Sequence, residues 1–149
     1  MSRVREVADG VFQLSVMKVA VTVVMDGDRA VVLDAGYRIT PARVRAFLET
    51  QGMHPRQVSH ILVSHYHPDH IGGLRRLQLM TGAQVGAHPS EAPAIRGHEP
   101  FPNPFTTRPF DVMFGELAKA VTPQPAPVDL LLDDGAVIDA AGGIRVIHT

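Results

Sequence analysis

The chain has 149 residues, 45% of them apolar, with 14 basic and 15 acidic side chains. That length suits one domain with a real core and is too short for two ordinary ones. The near balance of charge argues against a nucleic-acid surface built on phosphate contacts, the absence of cysteine excludes disulfides and thiolate metal sites, and no segment reaches the roughly 18 apolar residues of a membrane span.

The opening residues Met1-Ser2-Arg3-Val4-Arg5-Glu6 carry no apolar stretch with a small-residue cleavage site, so no signal peptide is expected. Together with the lack of cysteine this fits a cytoplasmic protein. Val11 to Val16 has strand character, and Val19 to Met25 is rich in β-branched residues. Asp26-Gly27-Asp28 makes a turn and Ala30 to Leu33 returns as a strand, because Asp-Gly supplies the positive φ of a tight hairpin. Asp34-Ala35-Gly36 closes that strand. Thr40 is then expected to cap a helix with Pro41 in its first turn, Val44, Phe47 and Leu48 on one face, and Gly52 at its end.

Val58 to Ser64 reads as the next strand and Gly72 to Met80 as a second helix ended by Gly82, with Leu74, Leu77 and Met80 facing inward. Gln84 to Ala87 is a short strand, and Ser90 is expected to cap a short helix through Ile95. Residues 98–127 hold seven prolines with Phe101, Phe105, Phe110 and Phe114 among them, an irregular insertion with one helix expected from Phe110 to Ala120. Long proline-rich loops with aromatic residues often cover sites, and a surface excursion with its own apolar cluster is the competing reading. Asp129 to Leu132, Ala136 to Ile138 and Ile144 to Ile147 are expected to be the last strands.

The most informative residues are His65-Tyr66-His67-Pro68-Asp69-His70, three imidazoles and a carboxylate between an apolar strand and Gly72-Gly73. Ligand clusters at strand ends are where open α/β sheets place their chemistry. With eight histidines and ten aspartates in the chain, chance would produce this pattern with odds of roughly one in a thousand. A ligand cluster is therefore favoured over a loop that merely happens to be rich in histidine. His65 and His67 lie two apart on extended backbone and point to one side. Asp69 and His70 follow where Pro68 stiffens a turn towards a helix. Neutral imidazole suits zinc and iron, and a carboxylate adds a hard anionic ligand. Four such groups in six residues crowd one tetrahedral ion, whereas two ions taking two each are easier to accommodate. Of the other histidines, His54 is expected to face solvent and His60 to be structural; His88 is a candidate to line the site, His148 a candidate outer-shell group, and His98 carries no reading.

The run Ile61-Leu62-Val63-Ser64-His65-Tyr66-His67-Pro68-Asp69-His70-Ile71-Gly72-Gly73, with Val32-Leu33-Asp34-Ala35-Gly36 before it, resembles the metallo-β-lactamase superfamily. The resemblance implies an α/β (α+β) fold, the αββα metallo-β-lactamase-like sandwich. Here it would be incomplete: an N-terminal half with a mixed sheet and flanking helices, in one partial domain over 1–149. It implies that His65 and His67 bind a first metal and Asp69 and His70 a second. Asp69 would also act catalytically beside the water that attacks, and Asp34 would support the site without ligating. The implied cofactor is zinc, two ions per complete domain, with iron or manganese as alternatives. The implied partner is a small-molecule substrate, with neither nucleic acid nor membrane.

By the same resemblance, Ile144-Arg145-Val146-Ile147-His148-Thr149 looks like the strand that leads into the family's Pro-Gly-His turn, so His148 is not expected to be a ligand. The chain then reads as the N-terminal part of a longer protein, lacking a third histidine, a bridging aspartate and a last histidine. An apolar sheet face would be left needing a cover, either by self-association or by a C-terminal half. The expected chemistry is metal-assisted hydrolysis of an ester, thioester, lactam, lactone or phosphodiester. The alternatives are a non-haem iron oxygenase of the same superfamily acting on a sulfur substrate, and a non-catalytic remnant or interaction fragment. The flavin-linked di-iron branch fits less well, because it would place a carboxylate where His67 stands.

Overall fold

A computed structural model of the chain describes residues 3–99 and 122–149. Short β-branched stretches separated by two-residue turns dictate how it begins. Strands β1 (Arg3–Ala8), β2 (Val11–Val16), β3 (Val19–Asp26) and β4 (Arg29–Leu33) form an antiparallel meander. The turn between β3 and β4 has Gly27 at φ 58°, as the Asp-Gly pair requires. The turn between β2 and β3 uses Met17 and Lys18 at φ 50° and 71° instead, two residues for which that conformation is unfavourable.

The sheet then changes direction. Helix α1 (Thr40–Thr50) and a short 3-10 turn (Pro55–Gln57) carry the chain back so that β5 (Val58–Val63) pairs parallel to β4. β6 (Gln84–Ala87) and β7 (Leu130–Leu131) continue in parallel, giving a seven-stranded mixed sheet in chain order. Between β5 and β6 lie the one-turn helix α2 (Pro68–Ile71) and helix α3 (Leu74–Thr81); α4 (Ala92–Ile95) follows β6. β8 (Val137–Ile138) and β9 (Ile144–Arg145) form a separate antiparallel pair.

Two apolar layers result. Val21, Val23, Val32, Ile61, Val63 and Val85 pack with Val44 and Leu48 of α1 and Leu74 and Leu77 of α3. On the other face Val31, Leu62, Leu132 and Ile138 form a second cluster with Leu33, Ile144 and Val146 around them. The ends of β4 and β5 nearest the site are thus buried on both sides, which is why Ala30 to Leu33 and Ile61 to Val63 read as continuous apolar runs. The apolar face expected to lie bare is partly covered here by the segment carrying β8 and β9.

Several expectations need correction. Thr40 is the first helical residue, not the cap: Ile39 holds the cap position, and the Thr40 amide bonds to the Tyr37 carbonyl. A turn already in place over 37–40 makes a side-chain cap redundant, and the buried Thr40 hydroxyl packs against Gly36. Ser90 does not cap α4 either; Glu91 stands there, and the Ser90 hydroxyl bonds to the Glu91 carboxylate. The helix expected over 72–80 begins at Leu74 and ends at Thr81, and the one-turn helix α2 before it, separated by Gly72-Gly73, was not expected. β1 was missed altogether. The helix expected from Phe110 to Ala120, and most of the proline-rich insertion, lie outside the described residues. Among the described residues no helix is long and apolar enough to cross a membrane.

Candidate metal centre

The parallel pairing of β4 and β5 brings two loops to one end of the sheet. Leu33 pairs with Leu62, and the Asp34 amide donates to the Leu62 carbonyl at 2.8 Å. Asp34 has φ 64°, a left-handed conformation that aspartate tolerates better than most residues and that often marks functional positions. The next amide, Ala35, donates to the His70 carbonyl, and Gly73 donates to Gly36. This lacing leaves no room for side chains at the Gly72-Gly73 pair. A Cβ on Gly72 would lie 2.5 Å from the Pro68 carbonyl oxygen, and one on Gly73 would lie 2.6 Å from that of Ala35.

The ligand run divides where proline stands. His65 to His67 continues beyond β5, and the His65 and His67 rings meet edge to face with centroids 4.6 Å apart. Pro68 begins α2 and turns Asp69 and His70 back towards them. The His65 and His70 ring centroids are 4.1 Å apart, and His70 Nε2 lies 3.7 Å from Asp69 Oδ2.

Asp34 organises these rings. Its buried carboxylate accepts from the Ser64 amide at 2.8 Å and from the Ser64 hydroxyl at 2.9 Å, and His70 Nδ1 donates to Oδ2 at 2.8 Å. Because Ser64 gives its one proton to Asp34, its Oγ accepts from His65 Nδ1 at 2.9 Å. The partners therefore place the proton of both imidazoles on Nδ1 and leave the lone pair of both on Nε2. Burial holds the pKa of His65 below the ordinary 6.5; His70 and His67 push it the same way, and Asp34 and Asp69 oppose them. His65 is neutral near pH 7, the form a metal needs.

The donor chemistry fits a divalent transition ion: imidazole lone pairs beside a carboxylate. The 3.7 Å gap between His70 and Asp69 is close to the ~3.3 Å edge of a tetrahedron with ~2.0 Å metal–ligand bonds. Among the described residues no group of three His, Asp or Glu side chains is gathered closely enough to hold an ion by itself.

Beside these residues opens a cavity of about 550 Å³, whose lining includes the apolar Leu33, Leu62 and Leu132 and the polar His65, His88 and Glu91. His148 lies there too, stacked on His88 with centroids 4.0 Å apart. His88 Nδ1 lies 2.7 Å from the Ser90 hydroxyl and 3.2 Å from the Ser90 amide, which anchors the ring at the start of the loop into α4. His54 is exposed and caps the 3-10 turn by accepting from Arg56. His60 bonds to Ser59 towards the other end of β5. Sequence reading passed over Ser64 and Glu91. Ser64 was hidden because it read as the last strand residue, and no spacing in the sequence connects Glu91 to the ligand run.

A family model described as the metallo-beta-lactamase superfamily matches residues 15–149. A probable metallo-hydrolase of Bacillus subtilis (strain 168), YybB, is 36% identical over 81 residues, covering 54% of this chain and 34% of that protein. A hydroxyacylglutathione hydrolase of Albidiferax ferrireducens is 39% identical over 61 residues, covering 39% of this chain and 24% of that protein. The chain thus spans about a third or less of these curated relatives. The solved metallo-beta-lactamase of Cronobacter sakazakii with a HARLDQ motif superposes at a TM-score of 0.78 with 22% identity, over 97% of this chain and 54% of that one. MIM-1 from Novosphingobium pentaromativorans superposes at 0.68 with 26% identity, over 87% of this chain and 44% of that one.

Proposed function

Since the chain belongs to the metallo-beta-lactamase superfamily, we propose that it supplies the first ligands of a zinc-dependent hydrolase. In this reading His65 and His67 hold one ion, and Asp69 with His70 holds a second. The observation that carries it is the Asp34 carboxylate, which takes the His70 Nδ1 proton directly and engages His65 through Ser64, so that both Nε2 lone pairs are free for metal. A divalent ion bound there would lower the pKa of a coordinated water from about 15.7 to about 7 and polarise the substrate oxygen.

The chain's own groups have distinct tasks. Ser64 and Asp34 hold ring orientation and tautomer. Asp69 is the catalytic carboxylate: Oδ2 faces His70, and its second oxygen is available to accept a proton from the attacking water. Leu33, Leu62 and Leu132 would shield the apolar part of a substrate from water, and His88 lines the same cavity. The volume of the cavity is in the range of small-molecule sites. One relative is named for hydroxyacylglutathione, which makes that compound the first substrate to assay.

Metal content and hydrolysis test this together. The purified chain is expected to take up zinc, His67→Ala to lose most of it, and His54→Ala to keep it. Equal metal in the two variants contradicts the ligand assignment. Bound iron with oxygen consumption on a sulfur substrate replaces hydrolysis with oxygenation.

A further inference from the structure

Glu91 stands 25 positions after Tyr66, at the start of α4, and its Oε2 accepts from the Tyr66 amide at 2.9 Å. Tyr66 is the residue between His65 and His67. The peptide that this bond holds joins His65 to Tyr66, so it fixes the plane beside the His65 Cα and the start of the step to His67. Glu91 is itself held: the Ser90 hydroxyl donates to Oε1 at 3.1 Å, and the Glu91 amide donates to the His88 carbonyl at 3.0 Å. Hydrogen bonds to a carboxylate are roughly twice as strong as neutral ones, and this one is partly buried beside the cavity. The ligand run is thereby fastened from two sides. Asp34 holds Ser64 at its start and His70 at its end, and Glu91 holds its middle.

We propose that Glu91 is a positioning residue for the metal centre, fixing the backbone at Tyr66 and with it the directions in which the His65 and His67 side chains leave the chain. It touches neither metal nor substrate in this role. The inference rests on the reading of His65 and His67 as ligands.

The test uses the whole chain with Co²⁺ as the probe and compares Glu91→Ala, Glu91→Gln and Ser90→Ala. The glutamine carbonyl can still accept from Tyr66, so Glu91→Gln is the conservative rescue. In the metal-free chain, exchange of the Tyr66 amide with deuterium is expected to quicken at least tenfold in Glu91→Ala and to stay near the wild-type rate in Glu91→Gln. With Co²⁺, Glu91→Ala is expected to shift the visible absorption bands and weaken affinity about tenfold or more. Glu91→Gln should keep the wild-type bands, and Ser90→Ala should move them in the same direction as Glu91→Ala, by less. Should Glu91→Ala fail to fold, the contrast between Ser90→Ala and Glu91→Gln carries the same test. Wild-type bands and affinity in Glu91→Ala overturn the role of Glu91. A wild-type chain that binds no Co²⁺ overturns the ligand reading itself.

Discussion

Asp34 Oδ2 and His70 Nδ1 stand 36 positions apart in the chain and 2.8 Å apart in space. The same carboxylate also takes the Ser64 amide and hydroxyl. Asp34→Asn keeps the side-chain size and the tolerance for positive φ, but its amide cannot satisfy all of these donors at once. Leaving one buried donor unpaired should cost about 1–3 kcal/mol of stability, and the loosened rings should lower metal affinity about 10- to 100-fold. Urea unfolding of the metal-free chain and competition with a chromophoric chelator measure the two effects separately. An unchanged affinity would show that ring orientation does not depend on Asp34.

Gly73 has an ordinary backbone conformation but no space: an added Cβ would lie 2.6 Å from the Ala35 oxygen and 2.8 Å from the Tyr37 oxygen. Gly135 is the converse, with φ 80° and nothing within 4 Å. Gly73→Ala should therefore cost about 3 kcal/mol through forced backbone movement. Gly135→Ala should cost only about 1 kcal/mol of conformational strain. Thermal unfolding of both variants reads the order, and the reverse order would mean that the loop beside the ligand run yields easily.

Met17 and Lys18 occupy a two-residue hairpin turn with both φ angles positive. Met17→Asn with Lys18→Gly supplies the residues such turns prefer and should stabilise the chain by about 1 kcal/mol. The urea midpoint should rise with an unchanged slope. A lower midpoint would indicate that the exposed Met17 side chain has a packing role.

The lowered pKa of His65 makes stability depend on pH. Well above 6.5 the ring is neutral in both folded and unfolded chains and contributes no pH dependence. As the pH falls below that value the unfolded chain takes up the proton first, so stability falls until the folded ring also protonates. His65→Asn keeps a donor to Ser64 and removes the titration. The metal-free variant should lose less stability than wild type between about pH 7.5 and about pH 5.5. Equal losses would assign the effect to another group.

The elements that could be read from sequence were those whose local chemistry and tertiary role agree. The runs Ala30 to Leu33 of β4 and Ile61 to Val63 of β5 are apolar because both faces are covered there, and Gly82 ends α3 in the left-handed conformation its residue type favours. The expected metallo-β-lactamase-like fold agrees with the superposition on the Cronobacter sakazakii enzyme. β1 was invisible because Arg5 and Glu6 face solvent on an edge strand, so the usual alternation carries little apolar signal. The start of α3 at Leu74 rather than Gly72 was not legible either, because the Gly72-Gly73 pair is held by a backbone 36 positions away, that of Gly36. The candidate ligands stood out as a local run, whereas their supports, Ser64 and Glu91, matter only through contacts that folding creates.

Adjacent parallel strands also separate chain length from site geometry. Asp34 and Ser64 meet because Leu33 and Leu62 are neighbours in a ladder, whatever the route between them. The crossover through α1 turns at the exposed corner Gln51-Gly52. A reporter peptide or affinity tag inserted there would lengthen the loop while the carboxylate and the hydroxyl kept their partners, which offers a place to label the protein without touching its chemistry.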